Sequence, residues 1–429
     1  MRTGLRTTRF AAVAAILVLI IFKIWTDKEN EQSRPAAPKS AFTDEHAQPE
    51  PSGPAIVDPV DPVDRVNKVG GVDKVGEVNR VGGIDRVDMV EKVGYRDHFD
   101  EYFAKAEKYE RENATFVTLA RNSDLWSLVD SVRHVEDRFN HKYHYDWVFL
   151  NDEEFDENFK TVMTSLTSGK AYFGKIPTEH WSYPPWIDQE KAAEARKDLE
   201  DRGIIYGGSE SYRHMCRFES GFFYRHPLMN KYKYYWRVEP DIKLHCDIKY
   251  DLFKFMAQNG KKYGFAMSMY EYVETIPTLW ETTMKFVREN PNYRHQHALI
   301  DFISEDGGET FNNCHFWSNF EIADMDFWRS DAYRDYFSYL DKSGGFFYER
   351  WGDAPVHSLA AALFLDQDEL HFFDDVGYYH VPYNSCPVYA EVRLKNRCSC
   401  NPDSNFFFDD YSCTQKYYKA KGLDIPSRE

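Results

Sequence analysis

The sequence lacks an excess of basic residues. Its 429 residues contain 53 Lys and Arg against 70 Asp and Glu, which gives a formal net charge of −17. Proteins that bind nucleic acids need a basic face to neutralise phosphates, so we expect no nucleic-acid partner. A nucleotide ligand, being an anion, would need local help from a bound cation or an arginine.

The sequence also lacks the glycine motifs of common nucleotide-binding folds. Neither Gly-x-Gly-x-x-Gly nor a Walker-type loop follows the first predicted strand, residues 114–120, so a Rossmann site or a P-loop is not expected. Helical periodicity over residues 124–140 and a second strand at 147–150 predict a β-α-β unit with a parallel sheet. Arg121 follows the first strand, where it could contact a nucleotide or be an ordinary loop arginine.

The amino terminus lacks a convincing signal-peptidase site. An apolar run spans residues 10–25 after three arginines, and acidic residues follow it. We predict a cytosolic tail at residues 1–9, an uncleaved transmembrane signal anchor at 10–25 and a lumenal remainder, because basic flanks stay in the cytosol. The short apolar run suits a thin membrane of the secretory pathway.

The segment after the anchor lacks the features of a folded domain. It is rich in Pro, Ser, Ala and Glu at first, and then Val, or Ile at 84, falls on every third residue from 57 to 93. Glycine does not recur at every third position, which excludes collagen. We interpret residues 26–96 as a disordered, repetitive stem, and residues 97–429 as the lumenal catalytic domain.

Cysteine is scarce, with seven residues in the chain. An oxidising lumen favours disulfides, and the odd number leaves at least one thiol unpaired. Four of the seven lie close to the carboxyl terminus, and we expect them to staple a loop-rich tail. A zinc site is the alternative, but the spacing of Cys398 and Cys400 is wrong for one.

Residues 234–241 combine a predicted strand with two carboxylates. The aromatic and β-branched residues favour a buried strand, and Pro240 lacks the N–H donor that would continue it. Glu239 and Asp241 should therefore lie at the carboxyl end of a strand, where open α/β sheets bind ligands. Two carboxylates at a rigid corner suit a hard divalent cation that holds a diphosphate, although acidic surface turns are also common.

Several ordered segments resemble one family of glycosyltransferases. They are WRVEPD (236–241), WVFLND (147–152), YRHMCRF (212–218), SGFF (220–223), WSNFEI (317–322), WGDAPVH (351–357) and GYYH (377–380). The chain from about residue 97 to residue 413 resembles the fungal α-1,2-mannosyltransferases of the Kre2/Mnt1 type. This resemblance implies an α/β domain of the GT-A type with a mixed sheet, anchored in the Golgi membrane as a single-pass type II protein.

The resemblance also implies a reaction. The expected donor is GDP-mannose and the cofactor Mn²⁺, with retained configuration at the anomeric carbon. The acceptors would be mannosylated O- or N-linked glycans of secretory and cell-wall mannoproteins. Glu239 and His380 match the family's metal ligands, and Asp241 would contact the donor–metal complex directly or through a neighbour.

Three further residues are catalytic candidates. Tyr212 matches an active-site tyrosine of the family, and Glu321 matches the position proposed for a nucleophile. Asp353 lies in the WGDAPVH motif, although it could simply cap the helix predicted at 357–365. Aromatic neighbours of Glu321 would raise its pKa unless a cation or donor compensates.

Two other functions fit parts of the same sequence. A glycoside hydrolase could use Glu321 and Asp353 as nucleophile and acid without any metal. A membrane-tethered lectin could bind mannan with the abundant aromatic residues, which are 17% of the chain, and would show no turnover. The aromatic loop at residues 177–188 could be a wall for the acceptor sugar or a cover of the core.

Overall fold

The computed structural model of the protein describes residues 109–428. The predicted tail, anchor and stem lie outside these residues, as does the predicted start of the catalytic domain. Among the helices of residues 109–428, none combines the length and the apolar composition that a membrane span requires.

The described part contains strands that form three sheets. The strands are β1 Ala114–Leu119, β2 Asp146–Asn151, β3 Ala171–Lys175, β4 Tyr234–Arg237, β5 Lys243–Leu244, β6 Tyr263–Phe265, β7 Ser268–Tyr270, β8 Cys314–Phe316, β9 Glu321–Asp324, β10 Leu370–Phe372, β11 Tyr378–His380 and β12 Tyr383–Ser385. The main sheet has the order β10-β6-β9-β4-β1-β2-β3.

Helices connect most of these strands. They are α1 Leu125–Arg138, α2 Glu157–Leu166, α3 Gln189–Asp201, α4 Glu210–Gly221, α5 Leu252–Gln258, α6 Leu279–Glu289, α7 Ile300–Ile303, α8 Met325–Trp328, α9 Asp331–Ser343, α10 Gly345–Tyr348, α11 Asp353–Phe364, α12 Ala390–Lys395 and α13 Thr414–Ala420. Side-chain caps fix several helix starts; Ser209, for example, accepts a hydrogen bond from the Tyr212 amide at the start of α4.

The main sheet is mixed, as predicted. β1 pairs in parallel with β2 and β4, β2 with β3, and β6 with β10. β9 alone in this sheet runs antiparallel, between β4 and β6. The predicted β-α-β unit is present as β1, α1 and β2. The carboxyl ends of β1 and β4 therefore meet at one edge of the sheet.

Each face of the main sheet carries a separate apolar core. Alternate residues of a strand point to opposite faces, so Val117 and Tyr235 belong to one core, and Phe116 and Trp236 to the other. The first core packs against α4, α9 and α11, and the second against α1, α2 and α5. Burial on both faces explains why these strands are nearly continuous apolar runs.

The disulfides differ in part from the expectation that the carboxyl-terminal cysteines hold the tail together. Only Cys386–Cys400 joins two cysteines of the carboxyl-terminal group. Cys398 instead bonds Cys246, just after β5, and Cys413 bonds Cys314 in β8. The tail folds back along the body of the domain, a long-range contact that cysteine spacing does not encode. Cys216 is the free thiol expected from the odd number, and it is buried in α4.

Candidate active site

The turn after β4 carries the two predicted carboxylates. β4 ends at Arg237, and Glu239 and Asp241 follow around Pro240. Asp241 is exposed and has a φ of 62°, a left-handed conformation that Asp tolerates better than most residues. The sequence correctly predicted that both carboxylates follow the carboxyl end of a buried strand.

Arg237 gathers three carboxylates around one guanidinium group. Its Nη1 lies 2.5 Å from Asp353 Oδ2 and 3.9 Å from Glu219 Oε2, and its Nη2 donates to Glu239 Oε1. Three carboxylates against one guanidinium give a local charge of −2 when all are ionised. An excess of negative charge in a partly buried place favours binding of a cation.

The pKa values of these carboxyl groups diverge. Burial raises the pKa of Glu219 to about 7, although Arg237 acts in the opposite direction. For Glu239, burial also raises the pKa, but Arg237 first and His380 next lower it to about 2. The pKa of Asp353 is lowered as well, because Arg237 outweighs burial. Glu239 and Asp353 are therefore carboxylates at neutral pH, and Glu219 titrates there.

Glu239 meets His380 across a gap that a metal ion could bridge. The Glu239 Oε2 and His380 Nε2 atoms are 3.7 Å apart, and the two side chains are 27% and 22% exposed. Two atoms bound to one divalent ion at 2.0–2.6 Å lie at most about 5 Å apart, so this separation fits. A carboxylate oxygen and an imidazole nitrogen with open positions for phosphate oxygens suit Mn²⁺.

The surroundings of His380 fix its ring. The Trp317 ring lies against it edge to face at 4.9 Å. Burial alone would lower the pKa of His380, but Glu239, with a smaller contribution from Asp241, raises it. Asp241 is thus close enough to act on this site electrostatically.

Glu321 lies next to this cluster but in a closed environment. It is the direct partner of Arg237 in the β4–β9 register, so both side chains project from the same face of the sheet. Its Oε2 lies 2.9 Å from His357 Nδ1, and its Oε1 accepts from the Tyr235 hydroxyl. Glu321 and His357 are both 0% exposed. Burial alone would lower the pKa of His357, but Glu321 raises it.

Tyr212 occupies the first turn of α4. Its ring stacks on Tyr206 at 4.5 Å, and the Arg350 guanidinium lies 5.2 Å from its centre. Burial raises the pKa of Tyr212 well above its usual value, so the phenol stays neutral and can donate a hydrogen bond. Arg121 donates to Ser211, the preceding residue, at 2.9 Å. The ends of β1 and α4 are thereby joined.

Asp353 is not the helix cap considered for it. Gly352 is the N-cap of α11, and Asp353 is already the first helical residue. Its carboxylate accepts hydrogen bonds from the Arg237 guanidinium and, at 2.7 Å, from the Ser318 hydroxyl. The helix also begins four residues earlier than the predicted His357.

The aromatic loop at residues 177–188 packs mainly on the core. Trp181 contacts Phe218 at 5.8 Å, and Tyr183 contacts Phe347 at 4.8 Å. Trp186 is 47% exposed and donates to the Asp341 carbonyl. These contacts favour the interpretation of this loop as core cover.

A polar cavity of about 780 Å³ opens beside β11 and β12. Amide and hydroxyl groups line it together with aromatic rings and basic side chains. They include Lys243, Tyr379, Tyr383, Asn384, Ser404, Phe408 and Arg428. The cavity lies beside the strand that carries His380, but neither Glu239 nor His380 lines it.

Sequence reasoning missed the residues that organise this site. Arg237 is not among the site residues that the sequence predicts, although it lies between two apolar residues, Trp236 and Val238, of the WRVEPD motif. Glu219 and His357 were not assigned roles, because nothing in their local sequence shows what they face. One signal in the sequence could have indicated this cluster, namely a charged residue within an apolar strand. A buried arginine requires carboxylates nearby.

Comparisons with known proteins identify the family. The family described as glycolipid 2-alpha-mannosyltransferase matches residues 90–422. The chain belongs to this family. It is 65% identical over 309 residues to glycolipid 2-alpha-mannosyltransferase 1 of Candida albicans, covering 72% of each chain. It is 63% identical over 317 residues to alpha-1,2 mannosyltransferase KTR1 of Saccharomyces cerevisiae, covering 74% of this chain and 81% of that one.

Solved structures agree with this assignment. Core-mannan synthase A (CmsA/Ktr4) of Aspergillus fumigatus, in a Mn/GDP form, matches with a TM-score of 0.70 and 40% identity, covering 74% of this chain and 87% of that one. The mannosyltransferase Ktr4p of S. cerevisiae, in complex with GDP, matches with a TM-score of 0.69 and 34% identity, covering 85% and 98%. The chain is an α-1,2-mannosyltransferase with a mixed α/β glycosyltransferase fold, and the hydrolase and lectin alternatives are set aside.

Proposed function

We propose that the protein transfers mannose from GDP-mannose to the 2-hydroxyl of a mannose acceptor, with retained configuration and with Mn²⁺ as cofactor. The acceptors are O- or N-linked glycans of secretory and cell-wall mannoproteins. The observation that carries this proposal is the acidic cluster around Arg237, opening onto the Glu239–His380 pair at the ligand-binding edge of the sheet. An anionic donor can bind there only together with a cation.

Glu239 and His380 would hold the ion, and Asp241 would add negative charge beside it. When bound, Mn²⁺ neutralises the diphosphate and stabilises the GDP that leaves. Arg237 keeps Glu239 ionised and aims one of its oxygens, so that the other faces His380. Arg121, at the end of β1, lies where α/β folds contact a nucleotide.

Tyr212, Asp353 and Glu321 are the proposed catalytic group. Tyr212 is a neutral hydrogen-bond donor, which suits it to contact a sugar hydroxyl or phosphate oxygen. Asp353 fixes Arg237 and, through it, the metal carboxylate.

Glu321 has two possible roles. As a nucleophile it would attack the β-face of the donor sugar and produce retention by two inversions. As a buried charge paired with His357, it would stabilise positive charge on the sugar from a distance. Its complete burial supports the second role in this conformation of the protein.

We also propose a GT-A type domain held in the Golgi lumen by the single span at residues 10–25 and the stem at 26–96. The cavity beside β11 and β12 would receive part of the acceptor glycan, since it offers amides, hydroxyls and aromatic rings.

Product analysis tests the proposal. The purified protein is incubated with GDP-mannose, Mn²⁺ and methyl α-mannoside, and the product linkage is determined by NMR and by digestion with a linkage-specific α-mannosidase. We expect an α-1,2-linked disaccharide that requires both the nucleotide sugar and the metal. A product with another linkage, or equal turnover in the presence of a chelator, would contradict the proposal.

A further inference from the structure

A second cluster of metal-ligating side chains lies far from the active site. His295, His297 and Asp366 each offer one ligand atom, and these atoms lie within 4.8 Å of one another. The cluster follows the carboxyl end of α11, whose other end carries Asp353. The 12 residues of α11 span about 18 Å, so this cluster is separate from the Glu239–His380 pair.

The distances in the cluster resemble those of a tetrahedral metal site. His297 Nδ1 lies 3.2 Å and His295 Nδ1 3.8 Å from Asp366 Oδ2. Ligand atoms bound to Zn²⁺ at 2.0–2.2 Å in a tetrahedron lie about 3.3–3.5 Å apart. The three ligand atoms all lie within 4.8 Å of one another, so coordination of one ion requires the two histidine side chains to adjust around Asp366 Oδ2.

The His295 Nδ1 atom accepts a hydrogen bond within the cluster. The backbone N–H of His297 donates to it at 3.2 Å. A metal bound at this nitrogen would take the place of that hydrogen bond.

The backbone holds the three ligands in place without the metal. The His295 amide donates to the Leu363 carbonyl at 2.9 Å, and the Gln367 amide donates to the His297 carbonyl at 2.9 Å. Asp366 caps the turn that follows α11, using Oδ1 for the Asp368 amide at 2.9 Å and leaving Oδ2 to face the histidines. A rigid backbone lowers the entropic cost of assembling a metal site.

The dipole of α11 favours a cation at this end of the helix, whereas the neighbouring side-chain charges largely cancel. The carboxyl end of a helix carries partial negative charge, and Asp368 and Glu369 follow the cluster within three residues. Lys421 and Lys262 pair with these two carboxylates, so Asp366 remains the acid directed at the histidines. All three ligands are solvent-accessible, with side-chain exposures of 34%, 60% and 29%.

We propose that His295, His297 and Asp366 form a second metal site that takes Zn²⁺ or a similar borderline ion. Two imidazoles and one carboxylate select such ions, whereas the oxygen-rich site at Glu239 suits Mn²⁺. The fourth position is open to water. The ion ties the 295–299 segment to the end of α11 and stabilises the fold without taking part in transfer.

Zinc binding by the full-length protein tests this site. Zn²⁺ is titrated at pH 7.5 in competition with a chromogenic zinc indicator, against wild type, His297→Ala and the matched control His141→Ala. His141 is also exposed but lies outside the cluster. We expect His297→Ala to bind one equivalent fewer than wild type, and His141→Ala to match wild type. Equal stoichiometry and affinity in His297→Ala and wild type would overturn the proposal.

Two further variants distinguish zinc bound at the proposed site from zinc bound at Glu239 and His380. His380→Ala should retain one equivalent of Zn²⁺, and its unfolding temperature should rise when Zn²⁺ is added. In the double variant His380→Ala/His297→Ala, the affinity should fall at least tenfold and the thermal shift should disappear. Loss of all zinc binding in His380→Ala alone would assign the zinc to the active site and refute the second site.

Discussion

Two carboxylates flank Arg237 in similar positions but in opposite environments. Glu239 follows it by two residues, is partly exposed and shares its oxygens between Arg237 and His380. Glu321 faces it across the β4–β9 pair, is fully buried and uses its oxygens on Tyr235 and His357. The first carboxylate can reach a ligand, and the second can act on one only through its charge or after rearrangement. Their access to solvent therefore distinguishes the two carboxylates, although both lie close to Arg237 in the sheet.

Among the substitutions that test this comparison, Glu239→Ala should have the largest effect on turnover. We expect turnover to fall by roughly three orders of magnitude, because the metal loses its only carboxylate ligand of the pair. The unfolding temperature should change little, since Asp353 still pairs with Arg237. Initial rates at saturating Mn²⁺ and thermal unfolding measure the two effects. Asp241→Asn is the control, and its effect on turnover should be much smaller.

Glu321→Gln tests the buried side of the comparison. A catalytic role predicts a kcat lower by roughly a hundredfold, with unchanged affinity for GDP and Mn²⁺. The substitution also breaks the buried pair with His357, which costs about 3–5 kcal/mol of unfolding free energy in typical cases. Steady-state kinetics, calorimetry and denaturant unfolding separate the two effects.

His357→Gln breaks the same pair from the other side and serves as the matched variant. If both substitutions lower stability equally but only Glu321→Gln lowers kcat beyond the loss of folded protein, Glu321 acts on the substrate. Proportionate losses of stability and activity in both variants would assign Glu321 to the structure alone.

Glu219→Gln should alter the pH dependence of stability. The folded pKa of Glu219 is about 7, above its usual 4.5, so the stability it contributes is complete below pH 4.5 and is lost as the pH rises to 7. Glutamine cannot ionise. We therefore expect the variant to gain roughly 1–3 kcal/mol relative to wild type between pH 5 and pH 8. Denaturant unfolding of both proteins at pH 5 and pH 8 measures this change. The same difference in unfolding free energy between variant and wild type at both pH values would contradict the prediction.

The smallest effect should come from removing the predicted anchor and stem. A chain that begins at residue 97 should fold, be soluble and keep its kcat on a soluble acceptor within about twofold, because the cores described here use only residues from 109 onwards. Loss of activity in a folded chain of this kind would show that the stem does more than space the domain from the membrane.

Much of the fold follows from local patterns. β1, α1 and β2 lie where apolar runs and helical periodicity predict them, because burial on one or both faces sets that periodicity. The turn after β4 follows from Pro240. Motif matching found Glu239 and His380, which the fold brings to 3.7 Å from 141 residues apart in the chain.

The parts that escaped prediction depend on long-range packing. Cys398 and Cys413 pair with residues of the central domain rather than with their neighbours, because the tail returns to β5 and β8. The partners of Glu321 are His357 and Tyr235, which lie far from it in the chain. Asp353 resembles a helix cap in the sequence, but the fold turns its carboxylate towards Arg237.

Calorimetric titration of GDP tests the central claim most directly, namely that Glu239 and His380 hold the cation that binds the diphosphate. GDP is titrated into wild type and into His380→Ala, each with and without Mn²⁺. We expect wild type to bind GDP at least a hundredfold more tightly with Mn²⁺, and His380→Ala to show no such enhancement. Equal enhancement by Mn²⁺ in both proteins would contradict the account.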